Sequence, residues 1–516
     1  MTITDPAAPA RLTSRVTASE DRPTMPVHSP LTGAAIGAVP RCTGDDVITA
    51  VRAARDAHRE WRRVPVPERA RILLRFHDAV LDHRADLLDL VQTETGKSRY
   101  AAFEEVADVA YVTRYYAHTA ARLLRPKRRH GALPLLTRTV EYRLPKGVVG
   151  LVTPWNYPLT LPVSDAVPAL LAGNATVVKP ASDTPLSVLR AAELLDEAGL
   201  PPGLFQVVTG SGAELGPPLI DSVDFVMFTG STATGRVIAE RCARNLIGFS
   251  AELGGKNAAI VLADADLGKA VEGVTRSCFA SAGQLCISIE RVYVERPVAD
   301  RFVELFADRV RRMRLSGELR WGPEMGSITS AAQLDTVTRQ LRDAVGKGAT
   351  VVAGGQARPD LGPLFFEPTV LTDVPGDATL AREETFGPVV AVYPVDDADE
   401  AVERANDSRY GLNADVWTGD PKRGEAVARR LEFGTVNVNE DYTASWGSAD
   451  APMGGMKESG VGRRHGREGL LKYTEPQTVA VQRLLPIAPP RGVSQAAYAR
   501  ALVAWSRLLR RLPILP

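Results

Sequence analysis

From residue 148 onward the chain repeats one unit, a short apolar run followed by a helical stretch. The first four runs lie at 148–152, 176–179, 205–208 and 225–228, are rich in valine and are too short for helices, while 185–198 has helical spacing. Buried strands joined through helices are parallel strands with crossovers, so this alternation confines the region to a doubly wound α/β sheet. The rhythm restarts after Glu252, with strands predicted at 257–262 and 292–294 and helices near 266–280 and 298–313. A second α/β layer is the simplest reading of that restart. Residues 45–125 read as helices, with Asp45 and Asp46 placed to cap the first. The alternating segments 137–143 and 477–481 read as strands able to pair in a small sheet.

Length and charge remove several function classes. At 516 residues the chain needs more than one ordinary domain, and a formal net charge of +1 supplies no global field for nucleic acid. The four cysteines, Cys42, Cys242, Cys278 and Cys286, form no CxxC pair and no Cys/His cluster, so neither a disulfide framework nor a metal site is expected. Cys278 reads as a small buried hydrophobe. No apolar run is long enough for a transmembrane helix. Residues 1–27 hold Asp5, Glu20 and Asp21 without an apolar stretch and read as a flexible lead-in, which makes a cytoplasmic location the expectation. Beyond 485, Tyr498, Leu502, Trp505 and Leu509 share one stripe and Arg500, Arg507 and Arg511 another, a basic amphipathic helix. Docking on the protein or on a neighbouring subunit is the first reading of that tail; weak contact with a membrane surface is the second.

Two residues stand out chemically. Cys286 lies in Ser281-Ala282-Gly283-Gln284-Leu285-Cys286, whose flanks suggest a tight approach into a helix. A thiol with pKa about 8.5 is only slightly ionised at neutrality, so a nucleophilic role requires local activation; by itself a lone cysteine is more often structural. Glu252 follows the strand-like 247–251 and precedes Gly254-Gly255, a strand edge suited to a mobile base or to a solvated carboxylate. The run Phe228-Thr229-Gly230-Ser231 closes a strand and opens a helix, whose N-terminus would accept a phosphate through backbone N–H groups. Its GxxxxG spacing is weak evidence alone.

Taken in order, Pro154-Trp155-Asn156-Tyr157-Pro158, Val178-Lys179-Pro180, Phe228-Thr229-Gly230-Ser231, Glu252-Leu253-Gly254-Gly255-Lys256, Gly283-Gln284-Leu285-Cys286 and Glu383-Glu384-Thr385-Phe386-Gly387-Pro388 resemble the aldehyde dehydrogenase superfamily over residues 28–482. Within it the chain is most similar to bacterial NADP-dependent succinate-semialdehyde dehydrogenases. The resemblance implies two Rossmann-like α/β domains plus a small β-strand flap used in oligomerisation. It assigns 28–124 with 148–252 to dinucleotide binding, 253–472 to catalysis, 125–147 with 473–484 to the flap, and leaves 485–516 as a tail.

By the same resemblance Cys286 is the nucleophile, Glu252 activates the hydrolytic water, and Asn156 donates to the oxyanion. Trp155, Asn156, Lys179, Pro180, Ala181, Ser182, Gly230, Ser231, Leu253, Glu384 and Phe386 would contact the cofactor. Relatives that prefer NAD place Glu where this chain has Ser182, so NADP is expected, with NAD less favoured. The implied reaction oxidises an aldehyde to a carboxylic acid through a cysteine thiohemiacetal and thioester, in a homodimer or homotetramer. Succinate semialdehyde would need arginines on its distal carboxylate, but Ser164 and Ala280 stand where that group has them, and Arg276 is not at an equivalent place. Trp446, Tyr442 and Leu285 suggest a pocket for longer apolar or aromatic aldehydes. A CoA-acylating enzyme and a non-catalytic binding protein are the alternatives; Glu252 argues against the first and the intact Cys286, Glu252 and Asn156 against the second.

Overall fold

The computed structural model describes residues 8–131, 137–482 and 487–510. The chain separates into two compact units, Met1–Leu123 with Pro145–Tyr473 and Leu124–Leu144 with Thr474–Pro516.

The large unit holds two large sheets and, among the described residues, two two-stranded ones. In the first, the strands run Gly460–Val461, Gly248–Glu252, Phe225–Thr229, Val148–Val152, Ala175–Lys179 and Phe205–Val207 across the sheet, and all but the two-residue first strand are parallel. The chain starts at Val148–Val152, winds outward through Ala175–Lys179 to Phe205–Val207, then returns to the other side at Phe225–Thr229. The order therefore reverses between Val148–Val152 and Phe225–Thr229, and loops beyond the carboxyl ends of such strands part to leave a crevice. The central strands Ala175–Lys179 and Phe225–Thr229 are buried at every residue and Val148–Val152 at all but its last, as expected for a sheet covered on both faces.

The second sheet has seven strands, with Asn257–Val261 between Ile289–Glu295 and Asn413–Trp417, and only Thr350–Ala353 runs antiparallel. One of its faces packs the helices Leu267–Phe279 and Arg296–Arg311 through Phe279, Phe302 and Phe306. The helices Gly44–Trp61, Val66–Asp82, Arg84–Thr95 and Arg99–Leu123 fill the predicted helical region. The cap of the first differs from expectation in one detail. Thr43 is the N-cap, and Asp46 reaches back to the Thr43 N–H at 2.7 Å, so the aspartate is the third residue of a capping box.

The small unit is a three-stranded sheet in the order Thr474–Gln482, Thr137–Pro145, Lys127–Arg129, followed by the helix Gln495–Leu509. The tail helix is present, and none of its described side chains is buried; Leu502, Val503, Trp505 and Leu508 are exposed. Arg511 lies outside the described residues. Among the described residues no helix is long and apolar enough to cross a membrane.

The flexible lead expected over 1–27 is folded over its described part. Ala8–Thr13 is helical, Leu12 and Val16 are buried, Val16 bridges Val207, and Thr24–His28 pairs with Ala35–Pro40. Two isolated apolar residues gave the sequence no periodicity to read. Residues 1–7 lie outside the described part.

Candidate active site

Each site residue sits at a strand end or in a turn held by buried polar contacts. The loop after Val148–Val152 carries Trp155 and Asn156. Its backbone is fixed from below, because Lys97 Nζ donates to the Asn156 carbonyl at 2.7 Å and to Glu105 Oε1 at 2.6 Å. Glu105 Oε2 in turn accepts the N–H groups of Leu159 and Thr160, at the start of the helix Thr160–Leu171. Both partners of this ion pair are buried, so it rests on filling every donor and acceptor around it. The Asn156 side chain gives one N–H to the Gln284 carbonyl at 2.9 Å, while its Oδ1 is buried without a partner.

Cys286 is half-buried in a turn, with the Ser288 N–H donating to the Leu285 carbonyl. The helix expected after it is absent. The chain instead passes through Ser281, Ala282 and Gly283 with φ of 52°, 56° and 69° and then enters the strand Ile289–Glu295. Activation by a helix N-terminus therefore does not apply. Asn257 Nδ2 holds the turn by donating to the carbonyls of Cys286 (2.7 Å) and Ser288 (2.8 Å). A Cβ at Gly255 would come within 2.9 Å of the Cys286 carbonyl, which is why the motif needs its second glycine.

Glu252 ends its strand with both carboxylate oxygens buried and without hydrogen bonds. Burial lifts its carboxyl to about 7, against the lowering pull of Arg464 and Lys472. Burial, then the charge of Glu252, push the Cys286 thiol up to about 12. The resting pair is thus a neutral thiol beside a carboxyl poised to lose its proton near neutrality.

Glu384 lies across the same crevice, accepting the Gly255 N–H at 2.8 Å; burial and the neighbouring charge of Glu290 raise it to about 8. A Cβ at Gly254 would lie 2.5 Å from Glu384 Oε2. The Glu384–Phe386 turn is anchored by Glu290, which accepts the N–H groups of Thr385 and Phe386 and pairs with Lys256 at 2.5 Å. Phe386 meets the Trp155 ring edge-on at 5.4 Å. Ser231 caps the helix Thr232–Arg244, and the Gly230 N–H is tied to the Glu252 carbonyl at 3.1 Å.

One cavity of about 260 Å³ is lined by Cys286, Glu252, Asn156, Trp155, Gly230, Ser231, Leu253, Glu384 and Phe386. Nine of the residues singled out in the sequence therefore meet in one place, at the switch point of the first sheet. Lys179, Pro180, Ala181 and Ser182 do not line it; Lys179 ends the next strand, Ala175–Lys179, and the other three follow it, with Ser182 Oγ donating to the Gly210 carbonyl at 3.0 Å.

Residues 16–479 match the aldehyde dehydrogenase family. The chain belongs to the aldehyde dehydrogenase family. This aldehyde dehydrogenase is 54% identical over 507 residues to a Mycolicibacterium smegmatis protein named "Putative succinate-semialdehyde dehydrogenase (NADP+)", covering 98% of each chain. It is 38% identical to the Escherichia coli succinate-semialdehyde dehydrogenase (NADP+), over 87% of this chain and 92% of that one. Among solved structures, a Staphylococcus aureus betaine aldehyde dehydrogenase in complex with NAD+ superposes with a TM-score of 0.88 at 32% identity, covering 95% of this chain and 100% of the other. An Escherichia coli NADP-dependent enzyme does so with 0.88 at 35%, over 92% and 99%.

A second cavity of about 400 Å³ in this aldehyde dehydrogenase lies on the far side of the Cys286 turn, where Leu285 and Ile287 form part of its wall. Tyr442 and Trp446 line it, as the sequence suggested. Ser164 does not; its hydroxyl donates to Asp108 Oδ2 at 2.9 Å. Arg276 is committed to Asp441 at 2.5 Å and Glu440 at 2.9 Å and is absent from the lining. Sequence reasoning missed Arg464, buried behind Glu252 and paired with Asp165 at 2.6 Å, and missed the Lys97–Glu105 pair. The adjacent Glu104 and Glu105 inside an otherwise amphipathic helix were the available signal for the latter.

Proposed function

We propose that the protein oxidises an aldehyde to a carboxylic acid with NADP, using Cys286 as nucleophile and Glu252 as base. The supporting observation is that the Cys286, Glu252 and Asn156 side chains border one cavity, with the Glu252 carboxylate free of hydrogen bonds. The Cys286 thiol gives up its proton to solvent, and the sulfur adds to the aldehyde carbon. The second N–H of Asn156 Nδ2 is free to stabilise the resulting oxyanion, a contribution of about 3 kcal/mol in comparable sites. NADP, when bound, supplies the acceptor for the hydride that leaves the thiohemiacetal carbon. Glu252 then removes a proton from water attacking the thioester, and the acid departs as Cys286 is regenerated.

The residues present suit the cofactor. Lys179 is buried, its ammonium makes no hydrogen bond among the described residues, and burial lowers it to about 8. An anion beside it would restore the charged form. Lys179 and Ser182 would hold the 2′-phosphate, Pro180 and Ala181 would shape that loop, and Gly230 and Ser231 would receive the pyrophosphate at a helix N-terminus. Glu384 would take the nicotinamide ribose, with Trp155, Leu253 and Phe386 around the ring. The Ser182 hydroxyl must turn from the Gly210 carbonyl to donate to the phosphate. A carboxylate at 182 would repel it by about 4 kcal/mol at about 4 Å. Ser182→Glu is expected to lower the NADP/NAD ratio of kcat/KM by about a hundredfold or more; an unchanged ratio refutes the assignment.

The relatives' names bring succinate semialdehyde to this chain as one substrate. Among the described residues, the lining of the second cavity holds no arginine, lysine or histidine for its carboxylate, which favours an aldehyde with a longer apolar or aromatic body. The family likeness and the exposed Val479 and Val481 on the edge strand Thr474–Gln482 support a homodimer or homotetramer formed by edge pairing. Light scattering is expected to give two or four times the chain mass of 55.5 kDa, and a monomer overturns that reading.

A further inference from the structure

The second cavity has an unusual wall for a carboxylate-bearing substrate. Six aromatic residues, Tyr100, Phe103, Tyr111, Tyr157, Tyr442 and Trp446, surround two acids, Glu104 and Asp108. The acids are one helical turn apart on Arg99–Leu123, so they share a face. Their partners are neutral. Both Glu104 oxygens accept only from the Tyr442 hydroxyl, at 3.0 and 3.1 Å, and Asp108 accepts the hydroxyls of Thr160 and Ser164. The cation behind them, Lys97, is bonded to Glu105 and the Asn156 carbonyl and lies 3.6 Å from the centre of the Tyr157 ring, so the cage for a ligand is formed by the other rings. The Tyr157 hydroxyl is buried without a hydrogen bond. Tyr157, Leu285, Ile287 and Tyr442 form one packed cluster against which Cys286 lies, so the wall of this cavity adjoins the turn that carries the reacting sulfur.

Aromatic faces carry negative quadrupole charge, and a carboxyl adds full charge once it is ionised. Together they select cations, most strongly soft alkylammonium groups that shed water easily. The same wall repels a distal carboxylate. We propose that the cavity receives an aldehyde whose far end is an alkylammonium cation, with Glu104 as its counter-ion and the aromatic rings as its cage. Burial holds the Glu104 carboxyl at about 7, so an arriving cation meets a group it can draw into the ionised form. This specificity deepens the proposed function and rests on it.

The test compares kcat/KM with NADP for 4-trimethylammoniobutanal, its uncharged carbon isostere 5,5-dimethylhexanal, and succinate semialdehyde. The cationic aldehyde is expected to exceed the isostere by about tenfold or more, with succinate semialdehyde lowest. Glu104→Gln, which keeps the shape and an acceptor for Tyr442, is expected to shrink the cationic-to-neutral ratio by about tenfold. Equal rates for cation and isostere, or a ratio untouched by Glu104→Gln, overturn the proposal. Should that variant not fold, competitive inhibition of the wild-type enzyme by butyltrimethylammonium ion decides: inhibition against the aldehyde is expected, and none at millimolar concentration refutes it. Failure of all three aldehydes to reduce NADP would instead remove the proposed function itself.

Discussion

Cys286→Ala is expected to abolish aldehyde oxidation, lowering kcat/KM by about ten-thousandfold or more, while NADP still binds. The magnitude follows from removing the atom on which the covalent intermediate forms; without it no partial pathway to a thioester remains. The variant should fold, because what orders the turn is not the thiol. Asn257 holds the Cys286 and Ser288 carbonyls, and both contacts are to backbone. Losing one half-buried sulfur costs on the order of 1 kcal/mol. Quenching of tryptophan fluorescence by NADP, with Trp155 in the cavity wall, reads the second half of the expectation. Residual turnover above about one part in a hundred would show that another group forms the intermediate.

The parts of the fold that were legible in the sequence are those dictated by local burial. Val148–Val152 and Ala175–Lys179 are buried on both faces, and that requirement wrote itself as continuous valine-rich runs. Residues 137–143 are buried at Thr137 and Val140, whereas 477–481 are exposed throughout. What escaped was set by contacts distant in sequence or by backbone geometry that the residue type does not announce. Nothing in Ser281 or Ala282 predicts φ near +55°, so the approach to Cys286 read as the start of a helix. Glu252 and Cys286 come together only because two sheets end at one crevice. Lys97 and Glu105, eight positions apart, matter through what they do for Asn156 and the start of its neighbouring helix, a role no spacing encodes. The second cavity was half legible: Tyr442, Trp446 and Leu285 were noticed, but Glu104 and Asp108 lie within a segment that the sequence marked only as helical.

Glu252→Gln is expected to stall the enzyme after its first turnover. Glutamine keeps the shape and loses the basicity, so water attack on the thioester should slow by about a hundred- to ten-thousandfold. Mixing enzyme, NADP and aldehyde should then release a burst of about one NADPH per site, and mass spectrometry should find the acyl group on the Cys286 peptide. The pH dependence carries the sign. Glu252 works as the carboxylate, and burial places its carboxyl at about 7. Below that pH it is protonated and cannot accept from water; above it the base is fully formed. The decay rate of the wild-type acyl-enzyme should therefore rise with pH through about 7 and flatten beyond, and the glutamine variant should lack that limb. Cys286 introduces no second limb into this measurement, since its sulfur is acylated throughout the decay and cannot ionise. Arg464 gives an independent handle on the same group. Its buried charge pulls the Glu252 carboxyl down while it stays paired to Asp165 at 2.6 Å. An acyl-enzyme whose decay is pH-independent in the wild type would remove Glu252 from the hydrolytic step, whatever the burst shows.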